Sequence, residues 1–151
     1  MSKEFLNKKT ISRLAVIQSL YQFELNEQKQ TIEELNTSIR NFYTDYQNID
    51  DDNSIKLSVH YFNELLQFSI EKVKEVDEII YSYLSSDGEL NKISIIVRSI
   101  LRVGVAELKY FPETPRKVIL NEYSDIASEL AREQDIGFIN SILDKYSKEG
   151  M

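Results

Sequence analysis

Ile93-Ser94-Ile95-Ile96-Val97-Arg98-Ser99-Ile100-Leu101-Arg102-Val103-Gly104-Val105-Ala106-Glu107-Leu108 is the most apolar stretch of the chain. Its apolar positions do not alternate with period two; wound at 3.6 residues per turn they cover most sides of a helix. A helix that is apolar on most sides is the central helix of a bundle. Gly104 inside it disfavours the helix by about 1 kcal/mol relative to Ala, a loss that is tolerable where another helix approaches closely. Pro112 closes the segment. The fold class that follows is all-α, a compact bundle of about six or seven helices.

Downstream, Thr114 is expected to cap the next helix with Pro115 at its first position. Val118, Ile119, Ile126, Ala127 and Leu130 form its expected buried stripe. Asp135 is the expected N-cap of a last helix in which Phe138, Ile139, Ile142, Leu143 and Tyr146 recur at intervals of three and four. Asn121 and Asn140 stand among these apolar residues, and partly buried amides need partners there. Upstream, a first helix is expected from about Thr10 to Asn26, with Ile11, Leu14, Ala15, Leu20 and Tyr21 on its apolar stripe. Thr31-Ile32-Glu33-Glu34 reads as a capping box. The helix it opens carries Leu35, Ile39, Phe42, Tyr43 and Tyr46 and is expected to stop near Asn48, before the polar linker Asp50-Asp51-Asp52-Asn53-Ser54. One long helix is expected from about Ile55 to Leu84, with Val59, Phe62, Leu66, Val73, Val76 and Ile80 on one face. Ser85-Ser86-Asp87-Gly88 breaks it. The segments on either side of that break are too amphipathic to fold separately, so residues 1–151 read as a single domain.

The scarce residue types exclude most chemistry. The 151 residues contain no cysteine, four glycines and one histidine. Disulfides and thiolate sites are therefore absent, and the glycines are too far apart for a phosphate-cradling loop. His60 has neither a nucleophile elbow nor a second metal ligand at motif spacing, and reads as a packing or surface residue. No motif supports a hydrolase or transferase, so the expectation is a protein that is not an enzyme and carries no cofactor or metal. No apolar run approaches the roughly 20 residues of a membrane span, and the N-terminus lacks a signal-like apolar region; a cytoplasmic protein is the expectation.

The formal net charge is −7, which opposes indiscriminate binding of nucleic acid. Its distribution is uneven. Residues 1–23 hold Lys3, Lys8, Lys9 and Arg13 against Glu4 alone. Residues 90–117 hold Lys92, Arg98, Arg102, Lys109, Arg116 and Lys117 against Glu107 and Glu113. Local potential rather than net charge steers a polyanion, although solvated helix faces would give the same pattern. Cations at the start of the first helix also run against its dipole, a weak pointer to an anionic ligand.

Two segments carry a family resemblance. Arg13-Leu14-Ala15-Val16-Ile17-Gln18-Ser19-Leu20-Tyr21 resembles the first-helix signature of the NusB family, in which a basic residue precedes an Ala-x-x-Gln-x-Leu-Tyr-like run. In the C-terminal half three pieces follow in family order: Ile100 to Leu108, then Pro115-Arg116-Lys117-Val118-Ile119-Leu120-Asn121-Glu122, then Phe138-Ile139-Asn140-Ser141-Ile142-Leu143-Asp144-Lys145. Tyr61-Phe62-Asn63-Glu64-Leu65-Leu66 is a shorter family-like stretch. The chain departs from the family pattern at four points. The arginine run before the first helix is reduced to Lys8 and Lys9, Gly137 stands where a Lys commonly precedes Phe-Val-Asn, Val97 stands where many relatives carry an acid, and Ala106 replaces a common Tyr.

The resemblance implies a transcription antitermination factor that binds boxA-type single-stranded RNA together with NusE, a small-subunit ribosomal protein, within the RNA polymerase antitermination complex on ribosomal RNA operons. Lys8, Lys9 and Arg13, on the exposed side of the first helix, would contact phosphates. Tyr21 would stack on an unpaired base or belong to the core stripe. Gln18 would bond a base edge or a neighbouring helix. Phe138 lies where the family approaches RNA. Val97, Leu101 and Glu107 are the implied contacts to NusE. The same fold leads some ribosomal RNA methyltransferases, a reading set aside by the lack of a Gly-rich cofactor loop. The alternative is a helical protein–protein interaction module, homodimeric or not, without specific RNA binding.

Overall fold

A computed structural model describes residues 7–47, 57–84 and 92–150, with only the backbone described for 42–47. Among these residues there are seven helices: α1 (Lys8–Leu25), α2 (Ile32–Gln47), α3 (Val59–Glu71), α4 (Val73–Ser82), α5 (Ile95–Tyr110), α6 (Arg116–Leu130) and α7 (Glu133–Glu149). The all-α class and the helix number match the expectation. The contacts cluster into two units, residues 1–70 and 71–151.

In the first unit α1 packs against α2. Helix α1 starts two residues earlier than expected because Asn7 caps it, its Oδ1 accepting from the Thr10 backbone N–H at 2.8 Å. It is buried almost all round: Ile11, Ala15, Val16, Ile17, Leu20 and Phe23 are joined by Thr10, Ser12, Arg13 and Ser19. The small hydroxyls are tolerated inside because they are bonded: Ser19 donates to Ala15 O at 2.9 Å and Thr10 Oγ1 to Asn7 Oδ1 at 3.0 Å. The capping box of α2 is present in both directions. Thr31 N–H donates to Glu34 Oε1 and Glu34 N–H to Thr31 Oγ1, each at 3.1 Å. Leu35 and Ile39 are buried as expected, whereas Phe42, Tyr43 and Tyr46 fall outside the described side chains and Asn48 to Ser54 outside the described residues. Between α1 and α2, Glu27 and Gln28 both take positive φ, 57° and 61°.

The expected long third helix is two helices. The chain leaves helical geometry at Lys72 (φ −103°, ψ 18°), and α3 and α4 part there without a Pro or Gly. Phe62, Leu66, Val73, Val76 and Ile80 are buried, but Val59, at the open end of α3, is exposed. The break expected at Ser85 to Gly88 lies outside the described residues.

In the second unit α5 packs against α4, α6 and α7, and every residue from Ser99 to Leu108 is buried. It is the central helix of this unit. A Cβ on Gly104 would meet Leu143 Cδ2 at 3.0 Å and Tyr123 Cδ1 at 3.5 Å, so the close neighbours are side chains of α7 and α6 and not a helix backbone. Three expectations shift here. Pro115 rather than Thr114 is the N-cap of α6, and Arg132 rather than Asp135 is that of α7. Val118 and Leu130 are exposed, and Tyr123 takes the buried place between Ile119 and Ile126. Asn121 is exposed, while Asn140 is partly buried and donates to Ser124 Oγ at 3.3 Å.

Candidate nucleic-acid interface

The start of α1 is tied to the start of α3. Ser58, just before α3, donates its backbone N–H to Ser12 Oγ at 2.8 Å, and Ser12 shares its own proton between the Lys8 and Ser58 carbonyls at 2.8 and 3.0 Å. Ser58 in turn starts α3, accepting from Phe62 N–H at 2.9 Å. Two helix N-termini, each with orphan N–H groups and a partial positive charge, are thereby brought side by side. Helix α1 has no acidic residue in its first turn, and Lys8 and Lys9 are exposed there.

Tyr61, one turn into α3, meets this end of α1. Lys9 Nζ lies 5.1 Å and Arg13 Cζ 5.4 Å from its ring centroid. Arg13 Nη2 also donates to the Tyr61 hydroxyl at 3.4 Å. Arg13 is 1% exposed, which corrects the expectation that it stands on the exposed side of the helix. A guanidinium held against a ring and a hydroxyl does not face solvent phosphates. Tyr61 was missed as part of this cluster because its partners lie 48 and 52 residues away in sequence; only its place in the family-like Tyr61 to Leu66 stretch pointed to it.

Gln18 is exposed, and Tyr21 is 38% exposed, so Tyr21 does not belong to the core stripe. Residues 18, 21 and 25 share one face of α1, and Leu25 is exposed there too. At 3.6 residues per turn that face is opposite the one carrying Lys9. The cations and the ring therefore do not form one straight stripe along α1. His60 is a surface residue, its Nε2 3.6 Å from Glu64 Oε2.

In the second unit Phe138 is exposed at 37% on the second turn of α7, not in the core. An open groove of about 590 Å³ runs between α6 and α7, lined by Lys117, Leu120, Asn121, Asn140, Leu143 and Asp144 among others. The residues implied as NusE contacts are elsewhere: Val97, Leu101 and Glu107 are all buried. Glu107 accepts from the Tyr123 hydroxyl at 2.8 Å inside the unit. They are part of the packing of α5, which corrects the expectation that their side chains meet a partner.

Part of the second basic island is engaged within the unit. Arg102 pairs with Asp77, Lys109 Nζ lies 2.9 Å from Glu75 Oε1, and Arg116 donates to the Ser147 carbonyl at 3.0 Å. Tyr110 donates to Glu75 Oε2 at 2.6 Å. The hydrogen bonds from Tyr110 and then Lys109 hold the Glu75 carboxyl below its usual range. The bond to Glu75 raises Lys109, and burial, followed by the same carboxylate, pushes the Tyr110 hydroxyl up. Among the described residues no group of three or more His, Asp and Glu side chains is placed to hold a metal ion, and no helix is long and apolar enough to cross a membrane.

Comparison with known proteins gives a consistent result. A family model described as the NusB family matches residues 10–148. The transcription antitermination protein NusB of Rickettsia bellii (strain OSU 85-389) is 39% identical over 150 residues, covering 99% of this chain and 96% of that protein. Its counterpart in Rickettsia rickettsii (strain Sheila Smith) is 37% identical over 152 residues, covering 99% and 97%. Among solved structures, T. maritima NusB superposes with a TM-score of 0.74 at 25% identity, over 93% of this chain and 90% of that one. A crystal structure of antitermination factors NusB and NusE in complex with dsRNA matches in fold with a TM-score of 0.73 at 21% identity, over 97% and 98%. With a matching family model over nearly its whole length and relatives above one-third identity, the chain belongs to the NusB family.

Proposed function

We propose that this protein is a transcription antitermination factor that binds boxA-type single-stranded RNA together with NusE, supporting transcription of ribosomal RNA operons as a member of the RNA polymerase antitermination complex. The observation that carries the reading is 39% identity across 99% of the chain to a protein named for that role. It acts in the cytoplasm as an adaptor and not as a catalyst. We read residues 1–151 as one domain, because a single family model, matched over residues 10–148, runs through both units.

In this reading Lys8 and Lys9 supply sequence-independent phosphate contacts at the paired helix starts. Gln18 and Tyr21, exposed on α1, and Phe138, exposed on α7, offer a base-edge donor and two rings for unpaired bases. Arg13 acts from beneath, through Tyr61. Val97, Leu101 and Glu107 shape α5 and contribute to NusE binding only through the position of that helix.

The test is a fluorescence titration of the protein with boxA RNA and with a scrambled RNA of equal length, with and without NusE. Tighter binding of boxA when NusE is present is the expected result. Equal affinity for the two RNAs in the presence of NusE overturns the proposal and favours a protein-interaction module.

A further inference from the structure

Lys9 and Arg13 are four residues apart on α1 and converge on one ring, that of Tyr61 on α3. Like charges at this spacing on a helix repel. The electron-rich ring face offsets part of that repulsion, since a cation within about 6 Å of a ring centroid is attracted by its quadrupole. The two cations are not equivalent. Arg13 is buried and bonded to the phenol oxygen, whereas Lys9 is exposed at the first turn of α1. The ring itself is buried and fixed, because Ser58, three residues before it, is bonded to Ser12 and Lys8 of α1.

We propose that Tyr61 is a positioning residue for RNA: with Arg13 bonded to its hydroxyl, its ring holds the Lys9 ammonium at the paired starts of α1 and α3, ready for a backbone phosphate. This rests on the RNA-binding reading above and deepens it. An unsupported lysine loses side-chain freedom when it engages a phosphate; a lysine already resting on a ring loses less.

The experiment measures binding of the boxA RNA with NusE at several salt concentrations for the wild type, Lys9→Ala, Tyr61→Phe, Tyr61→Leu and Lys9→Ala/Tyr61→Leu. Each phosphate contact to a single strand contributes about 0.7 to the slope of log affinity against log salt. Lys9→Ala is expected to reduce the slope by about that amount, and Tyr61→Leu, which retains both cations but not the ring, to lower affinity at every salt concentration several-fold. Tyr61→Phe keeps the ring and is expected to recover most of that loss. In the double variant the ring should no longer matter. A ring effect that persists in full without Lys9, or a Tyr61→Leu protein that binds as the wild type does, overturns the inference.

A measurement on the unaltered protein covers the case in which Tyr61→Leu does not fold. The Lys9 side-chain protons are expected to show an upfield ring-current shift in the NMR spectrum and to move further when RNA is added. Lys9 protons at ordinary positions that ignore RNA also overturn it. Loss of wild-type boxA preference would instead remove the parent reading, so the two failures are told apart.

Discussion

Arg102 and Asp77 form a two-pronged pair between α5 and α4: Nε donates to Oδ1 at 2.7 Å and Nη2 to Oδ2 at 2.9 Å, with the Arg102 side chain 2% exposed and that of Asp77 24%. A fork of parallel charge-assisted bonds is among the stronger polar contacts a protein makes. Breaking it from one side leaves a guanidinium inside the unit facing the space of a lost carboxylate. Asp77→Ala is therefore expected to lower stability by about 1.5–3 kcal/mol, the scale for losing hydrogen bonds to a charged group. Urea denaturation checks this. Replacing both residues by apolar ones of similar size should recover much of the loss.

Lys8 and Lys9 differ from Arg13 in a way that a binding assay can separate. The double variant Lys8→Ala/Lys9→Ala is expected to fold normally and to reduce the salt slope of RNA binding by about 1.4, two single-strand contacts. Arg13→Ala removes a buried side chain bonded to Tyr61 and is expected to lose about 2 kcal/mol or more of stability. Normal stability in Arg13→Ala, read from its thermal transition, would count against the buried placement.

How much of this was legible in the sequence depends on how far apart the deciding residues lie. The capping box at Thr31 and Glu34 spans three residues, and both of its bonds are present. The buried α5 announces itself by its own apolar run. The break at Lys72 is different, because Ile70-Glu71-Lys72-Val73 contains nothing that opposes a helix, so no local signal marks it. Arg13 was read as exposed for the same reason. A lone arginine near a helix start is normally solvated, and the ring brought to it from α3 helps to make its burial tolerable. Val97, Leu101 and Glu107 show the converse: the motif containing them is recognisable, but which of its residues face outward is set by the helices around α5.

The Glu75 cluster sets limits on stability at both ends of the pH scale. Glu75 is held below the usual carboxyl value of 4.5 by Tyr110 and Lys109. Its contribution is present above that value and fades as pH falls through the lowered one. Lys109 and Tyr110 are raised above 10.5 and 10.0 respectively. In each the native state holds its proton more firmly than the unfolded chain does, so their contribution is intact below about pH 10 and is lost as pH rises further. The contribution of this cluster to the thermal midpoint, read as the difference between the wild type and Glu75→Gln, should be flat between these limits and shrink beyond each. In Tyr110→Phe the alkaline decline should be shallower.

Glu27 and Gln28 are consecutive residues at positive φ, where a side chain's Cβ crowds the following carbonyl by about 1–2 kcal/mol. The turn holds because Gln28 N–H donates back to Phe23 O at 2.8 Å, closing the end of α1. Glycine relieves the crowding but gives the unfolded chain more freedom. The balance for Glu27→Gly is a gain of about 0.5–1 kcal/mol, or a rise of about 2–3 °C in the melting temperature. A drop on that substitution would mean that the Lys29–Glu27 pair (3.1 Å) contributes more than exposed pairs normally do.

Gly137 offers the opposite kind of change, one aimed at function. It sits in α7 beside the exposed Phe138, and a Cβ added there meets nothing within 4 Å. No packing reason holds a glycine at this position, and in a helix interior Gly is about 1 kcal/mol worse than Ala. Gly137→Lys is therefore expected to raise stability slightly, the gain trimmed by the unfavourable placement of a cation near a helix start. Its larger effect should be on RNA. If Phe138 lies along the bound strand, the new ammonium adds one phosphate contact, steepening the salt slope by about 0.7 and tightening binding at low salt. The gain should shrink as salt rises and should be similar for boxA and scrambled RNA, because phosphates carry no sequence information. A variant that is more stable but binds RNA with an unchanged slope would take Phe138 and the start of α7 out of the interface, leaving α1 and α3 to hold the strand.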